Sequence, residues 1–316
     1  LPVEQRPPKM LLMQWYSLAN LIKVRNAEQD RKSLAVANRF LGDGFKSVIL
    51  KGQGMAQLYA KGEYRVPGDI DIWLDESWEI IVSYVQSHAP SYTPLYHHID
   101  FFPIGGTEIE IHFTPSWMNC YFTNRTLQNF FRQYSKKIFC NEEHLVISED
   151  GSCCYKLLPV PPLEFNRVFV LVHIYRHLFG EGIGLRQLMD YYHVLCQGFT
   201  EVERSETLNI LKSLKMLRFA GAVMYVLQTV FGMKDAFLLL PPDEKEGRFL
   251  LNEIMQAGNF GHYDKRIKRV ANESALHVFL RRTIRNLRFI RSYPSEVLWT
   301  PLFKIWHFTW RKYHGY

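Results

Sequence analysis

Arg65-Val66-Pro67-Gly68-Asp69-Ile70-Asp71-Ile72-Trp73-Leu74 reads as a turn running into a β-strand with two carboxylates on one side. Side chains two apart on a strand point the same way. Asp69 and Asp71 therefore project together, while Ile70, Ile72 and Leu74 can fill a core on the other face. Two like charges held that close repel unless a cation separates them. A divalent metal is one solution, because hard oxygen ligands suit magnesium. A solvent-facing edge strand carrying two acids is the other reading. Gly68 favours the metal, since a glycine there lets a ligand approach the backbone.

Upstream, Leu11 to Phe40 has helical periodicity, expected as two pieces with a break near Asn26 or Asp30, and Gly42-Asp43-Gly44 stops it. Lys46 to Leu50 is a short apolar strand. Lys51-Gly52-Gln53-Gly54 then turns into a helix with Met55, Leu58 and Tyr59 on one side. Downstream, Ser77 to His88 is an amphipathic helix whose buried stripe is Trp78, Ile81, Val82 and Val85. Tyr92 to Phe102 and Thr107 to Phe113 form a predicted strand pair across Gly105-Gly106. Asn124 to Tyr134 is a predicted helix with Asn124 as its N-cap. Strands and helices thus interleave around a small mixed sheet, an α+β domain expected over residues 1–160. Pro159-Val160-Pro161-Pro162 closes it.

Residues 161–316 carry no convincing strand signal and are expected to be all helical. Phe165 to Phe179 and Leu185 to Cys196 are helices around the loop Gly180-Glu181-Gly182-Ile183-Gly184. That loop follows a helix rather than a strand, so it is no dinucleotide fingerprint. Glu203 to Phe231 is helical with a break near Ser213. Two basic, aromatic helices follow, Glu273 to Ser292 and Glu296 to Tyr313. From His262 onward there are twelve Lys/Arg against three Asp/Glu, so the net charge of +7 belongs to this tail.

The whole chain has an ordinary globular composition, with 47% hydrophobic and 22% charged residues. No run approaches the roughly 18 apolar residues of a membrane span. The first residues lack the apolar core of a signal peptide. Five cysteines without C-x-x-C spacing argue against a disulfide framework or zinc ribbon, and the adjacent Cys153-Cys154 reads as strand packing. A cytoplasmic protein is expected.

Glu110, between Ile109 and Ile111, is the third acid candidate. A carboxylate there costs several kcal/mol, about 2–7, if buried without a partner. It is tolerable if it faces a metal beside Asp69 and Asp71, with His112 on its own face. Alternatively, Glu108, Glu110 and His112 line a solvated sheet face. In the helical half, His173 and His177 are one turn apart and could hold zinc, but they lack an accompanying glutamate. Arg186 and Asp190 at i,i+4 read as a helix ion pair or as a polar patch facing a cleft. In the tail, Leu276, Phe279, Leu280, Thr283, Leu287 and Ile290 form an apolar stripe. Arg281, Arg285, Arg288 and Ser292 fall on another face. A core helix with a solvated arginine face outweighs nucleic-acid binding. Trp299, Trp306 and Trp310 suit either base stacking or a hydrophobic seam. A helix lying on a membrane surface is a weaker third option.

The glycine turn after a strand, then Asp69-Ile70-Asp71, then Glu110 between hydrophobics resembles the polymerase-beta-like nucleotidyltransferase superfamily. More closely, Leu50-Lys51-Gly52, Leu58-Tyr59, Arg65-x-x-Gly68-Asp69-Ile70-Asp71, Glu110-x-His112 and Leu185-Arg186-x-x-x-Asp190 resemble a bacterial family of uncharacterised nucleotidyltransferases. The resemblance implies a nucleotidyltransferase domain over 1–160 with N-terminal helices and a helical domain over 161–316, with the active site between them. It implies transfer of an NMP from an NTP, ATP foremost, to a hydroxyl of an unidentified acceptor. Asp69, Asp71 and Glu110 would be the catalytic and metal-holding residues, with two Mg²⁺ (or Mn²⁺) ions. Lys51, Gly52, Gln53, Arg65 and Gly68 would bind the nucleotide, and His112, His173, Arg186 and Asp190 would line or support the cleft. Gly52 is followed by Gln53 where the superfamily has a second glycine or a serine. The rival readings are a non-catalytic nucleotide- or RNA-binding module on the same fold and a toxin-like enzyme that modifies a tRNA end. The basic tail would suit the last.

Overall fold

The computed structural model describes residue 2 and residues 5–140, 145–147, 153–258, 264, 266 and 273–316. The chain forms two compact units. The first comprises residues 1–93, 98–113 and 139–161, and the second residues 94–97, 114–138 and 162–316.

Unit 1 is built on a mixed four-stranded sheet of order β1-β2-β4-β3, from β1 (Ser47–Ile49), β2 (Ile70–Leu74), β3 (His98–Ile104) and β4 (Thr107–His112). β1 and β3 run antiparallel to their neighbours, and β2 and β4 pair in parallel. The register sets Ile70 against Ile109, Asp71 against Glu110, and His112 against His98. One face is therefore aliphatic, with Ile70, Ile72, Ile99, Ile109 and Ile111 all essentially inaccessible. The other face carries the acids and histidines. β3 and β4 meet at Gly105-Gly106, both at positive φ, the backbone that a two-residue type I′ hairpin demands.

The first helix, α1 (Lys9–Gly42), is a single uninterrupted helix of 34 residues, where the sequence suggested a break at Asn26 or Asp30. Polar side chains that weaken a helix when they turn back on their own backbone here reach away from it. Asn26 donates to the carbonyls of Gly62 and Arg65, and Gln29 donates to that of Gly68 (2.9 Å). The short α2 (Gln53–Ala56) ends before Leu58. α3 (Trp78–His88) is capped by Ser77 and buries Ile81, Val82 and Val85, while Trp78 is not in its buried stripe. A small hairpin, β5 (Leu145–Ile147) with β6 (Cys153–Tyr155), completes the unit. Tyr155 ties to α1 through Asn38 and to β1 through the Ser47 N–H, which donates to its hydroxyl.

Unit 2 contains no strand among its described residues and is built from α4 (Tyr121–Phe139, less its last residue), α5 (Leu163–Gly180), α6 (Leu185–Cys196), α7 (Glu201–Ser213), α8 (Leu217–Phe231), α9 (Glu244–Ala257), α10 (Ala275–Asn286) and α11 (Pro294–Tyr313), joined by loops. α4 begins three residues before Asn124, which is not its cap; the Asn124 side chain instead accepts from the Met118 N–H. α5 is buried nearly all round, and Tyr175, Phe179, Phe219, Phe289 and Tyr293 pack ring against ring beside it. α9 carries no sequence expectation.

α10 inverts its expected orientation. Leu276, Leu280 and Leu287 are exposed, whereas Arg285 and Asn286 are buried. Arg285 donates to the carbonyls of Leu178 and Gly180 and Asn286 to that of Phe179, which satisfies the C-terminal end of α5. Arg281 pairs with Glu273, and Arg288 with Glu253 and Asp264. Two arginine partners and the Arg266 N–H hold the Asp264 carboxyl down at about 2 against its burial. The tail tryptophans join an aromatic seam: Trp306 stacks on Trp117 and neighbours Phe303 and Trp310, and Trp299 meets Phe122 edge-on. No described helix is long and apolar enough to cross a membrane.

Candidate active site

The sheet register brings Asp71 on β2 beside Glu110 on β4, and β4 turns His112 toward both. Asp71 is 2% exposed. Its Oδ1 meets two cationic groups, the Lys51 ammonium at 2.8 Å and His112 Nε2 at 2.9 Å. Its Oδ2 is buried and has no hydrogen-bond partner. His112 Nε2 also lies 3.5 Å from Glu110 Oε2. From β3, His98 Nδ1 lies 3.7 Å from that same Glu110 oxygen, and His98 Nε2 lies 3.6 Å from Asp100.

Lys51 reaches Asp71 because β1 ends at Ile49 and the chain turns at once. Gly52 makes that turn at φ +54, and a Cβ there would touch the Asp69 carbonyl at 3.4 Å. The turn after β1 therefore lies against the backbone of the acidic segment. The loop before Asp69 is held from the other side by Asn26 and Gln29 of α1, through the carbonyls of Gly62, Arg65 and Gly68. Gln53 is buried and donates to Asn26 and Asp30, so its side chain locks the turn to α1. Open space surrounds the Cβ position of Gly68, so nothing in the packing requires glycine there.

The charges act as one network. Burial opposes ionisation of Asp71, but Lys51 and then His112 hold its carboxyl well below the usual range. Burial opposes the Lys51 and His112 cations too. Asp71, Asp69 and Glu110 outweigh that at Lys51, as Asp71 and Glu110 do at His112, and both pKa values are raised. Burial and the Asp71 charge oppose ionisation of Glu110, but His112, with His98, holds its carboxyl below the usual range. Asp69 differs. It is exposed, and the Asp71 charge, followed by partial desolvation, raises its pKa.

Of the expected site residues, the fold assembles Lys51, Gly52, Asp69, Asp71, Glu110 and His112 within unit 1. Arg65 and Gly68 lie in the loop before Asp69 and offer their carbonyls to α1. His173, Arg186 and Asp190 belong to unit 2. His173 and His177 meet edge-on at 4.4 Å between ring centroids but join no cluster of three donors among the described residues. Arg186 is exposed and Asp190 buried on α6. His98 was not foreseen. Its signal lies in the hairpin, because pairing across Gly105-Gly106 sets a residue of β3 opposite His112.

Buried Asp71, half-buried Glu110 in register with it, the Lys51 ammonium and the Gly52 turn thus meet within unit 1. The chain belongs to the family described as uncharacterised nucleotidyltransferase, which matches residues 1–232. A nucleotidyltransferase-like antigenic protein from Paracoccidioides brasiliensis is similar over 73% of this chain and 96% of its own, at 11% identity and a TM-score of 0.34. No curated protein matches the chain.

Proposed function

We propose that the chain is a metal-dependent transferase of the polymerase-beta-like kind, moving an NMP from an NTP, ATP foremost, to a hydroxyl of an acceptor. The observation that carries this reading is Asp71: a carboxylate buried in register with Glu110, with one oxygen lacking a partner. A buried carboxylate oxygen with no donor costs desolvation energy. That cost is recovered when a hard cation binds there, and carboxylates from Asp69, Asp71 and Glu110 would suit Mg²⁺ or Mn²⁺.

Two divalent ions supply charge neutralisation of the triphosphate and activation of the acceptor hydroxyl. Asp69 presents its carboxylate from the exposed end of the loop, and Asp71 from inside the sheet. Glu110, which is half-buried, would help hold the ion nearest the acceptor hydroxyl. Lys51 and Arg65 would take charge from the departing pyrophosphate. The Gly52 turn lets phosphate approach the backbone beside Asp69.

The test is incubation with each labelled NTP, Mg²⁺ or Mn²⁺, and a lysate separated into protein, RNA and small molecules. Label in one fraction, lost with Asp71→Asn, names the acceptor class. Tight NTP binding with no labelled fraction supports the non-catalytic binder instead.

A further inference from the structure

We infer that His112 is a direct ligand of the cation held by Asp71 and Glu110, so that this centre selects Mn²⁺ over Mg²⁺. The inference rests on the proposed nucleotidyl-transfer reading and deepens it by naming the ion. Asp71, Glu110 and His112 each offer a donor atom within 4.8 Å of the other two. The N···O separations are 2.9 Å from His112 Nε2 to Asp71 and 3.5 Å to Glu110. Donors about 2.1 Å from one ion stand about 3.0 Å apart in an octahedron and about 3.4 Å apart in a tetrahedron. The two separations from His112 Nε2 therefore fit shared ligation of one ion once Nε2 gives up the proton it shares with Asp71.

The second observation is the unpartnered Oδ2 of a carboxylate that is 2% exposed. It shows that the chain's own hydrogen bonds do not exhaust this acid. His112 is itself 3% exposed and sits at the end of β4, where the sheet fixes its direction. An imidazole nitrogen so placed suits first-row transition metals, whereas Mg²⁺ favours oxygen and retained water.

The experiment is electron spin-echo spectroscopy of the full chain with Mn²⁺, on unlabelled protein and on protein with ¹⁵N-histidine. Imidazole ¹⁴N modulation that disappears on ¹⁵N labelling supports the inference without any variant. Retention of that signal in His98→Gln and its loss in His112→Gln assigns the nitrogen. In His112→Gln, Mn²⁺ binding should weaken by at least the roughly 10–100-fold that loss of a mere hydrogen-bond partner of a ligand costs, while Mg²⁺ binding changes less than about twofold. Mn²⁺ bound with an affinity that depends on Asp71, yet without nitrogen modulation, overturns the inference and leaves the acid site standing. Loss of the signal only in His98→Gln also overturns it. Mn²⁺ affinity indifferent to Asp71→Asn overturns the site reading as a whole.

Discussion

Neutralising the two aspartates should have opposite consequences for stability. From repulsion alone, removing either charge relieves the pair. The structure separates them, because Asp71 is the counter-ion of Lys51 and His112 whereas Asp69 is exposed and raised in pKa by Asp71. Asp71→Asn leaves the Lys51 ammonium and an imidazole facing an amide. Removing one partner of a buried ion pair costs about 3–5 kcal/mol. The Lys51 side chain keeps 20% exposure, which places this pair near about 3 kcal/mol. For a domain of 150–250 residues that is a fall in Tm of roughly 6–12 °C. Asp69→Asn should hold or slightly raise Tm. Scanning fluorimetry in EDTA at pH 7.5 and moderate salt reads both. The pH profile adds a sign. A depressed carboxyl contributes stability that is present above its unfolded value of 3.8 and is lost as pH falls through the folded one, so wild type should lose its advantage over Asp71→Asn in acid. Equal Tm changes in the two variants, or an Asp71→Asn protein as stable as wild type at pH 7.5, would refute the counter-ion argument.

If Glu110 serves the ion nearest the acceptor, as proposed, Glu110→Gln should spare NTP affinity while lowering turnover; an isotherm and a transfer rate that fall together would reassign it, with Asp100 the next acid on that face. Glu296 sits at the start of α11, accepts the Asn119 and Cys120 N–H groups, and is pushed by burial up to about 7 against those two donors. Its contribution is full below its unfolded value of 4.5 and is lost as pH rises through about 7, so wild type should lose about 3 kcal/mol across that window and Glu296→Gln much less, read by urea denaturation from pH 5 to 8. Arg281, Arg285 and Arg288 are engaged internally, so their reversal to Glu should unfold the tail. Arg282→Glu and Arg291→Glu, both exposed, are the proper probe of RNA binding, and salt-dependent affinity that these two changes leave intact would place any RNA contact elsewhere.

The acidic strand was legible because period two is a local property, and Asp69, Asp71 and the isoleucines between them need no tertiary information. Most helices were legible for the same reason, as α6 shows by matching its periodic stretch end to end. What failed depended on partners. Asn26 marks a helix break in isolation; in the fold it donates to two carbonyls of the Gly62–Arg65 turn and α1 continues through it. Periodicity separates the two faces of α10 but cannot say which turns inward. The unsatisfied carbonyls closing α5 draw in Arg285 and Asn286 and leave the leucines outside. Sheet order was hidden likewise, since only the parallel pairing of β2 with β4 tells that Asp71 stands beside Glu110. The site turns on that same distinction. Repulsion between paired carboxylates predicts that something positive stands between them, and a metal is the external candidate. The fold supplies two internal ones, Lys51 and His112, both on a single oxygen of Asp71. A cation drawn to Asp71 therefore competes with the Lys51 ammonium and takes the place of the proton that His112 shares with this carboxylate. Its binding should be linked to displacement of Lys51 toward the phosphates, which would couple metal loading to the arrival of the nucleotide.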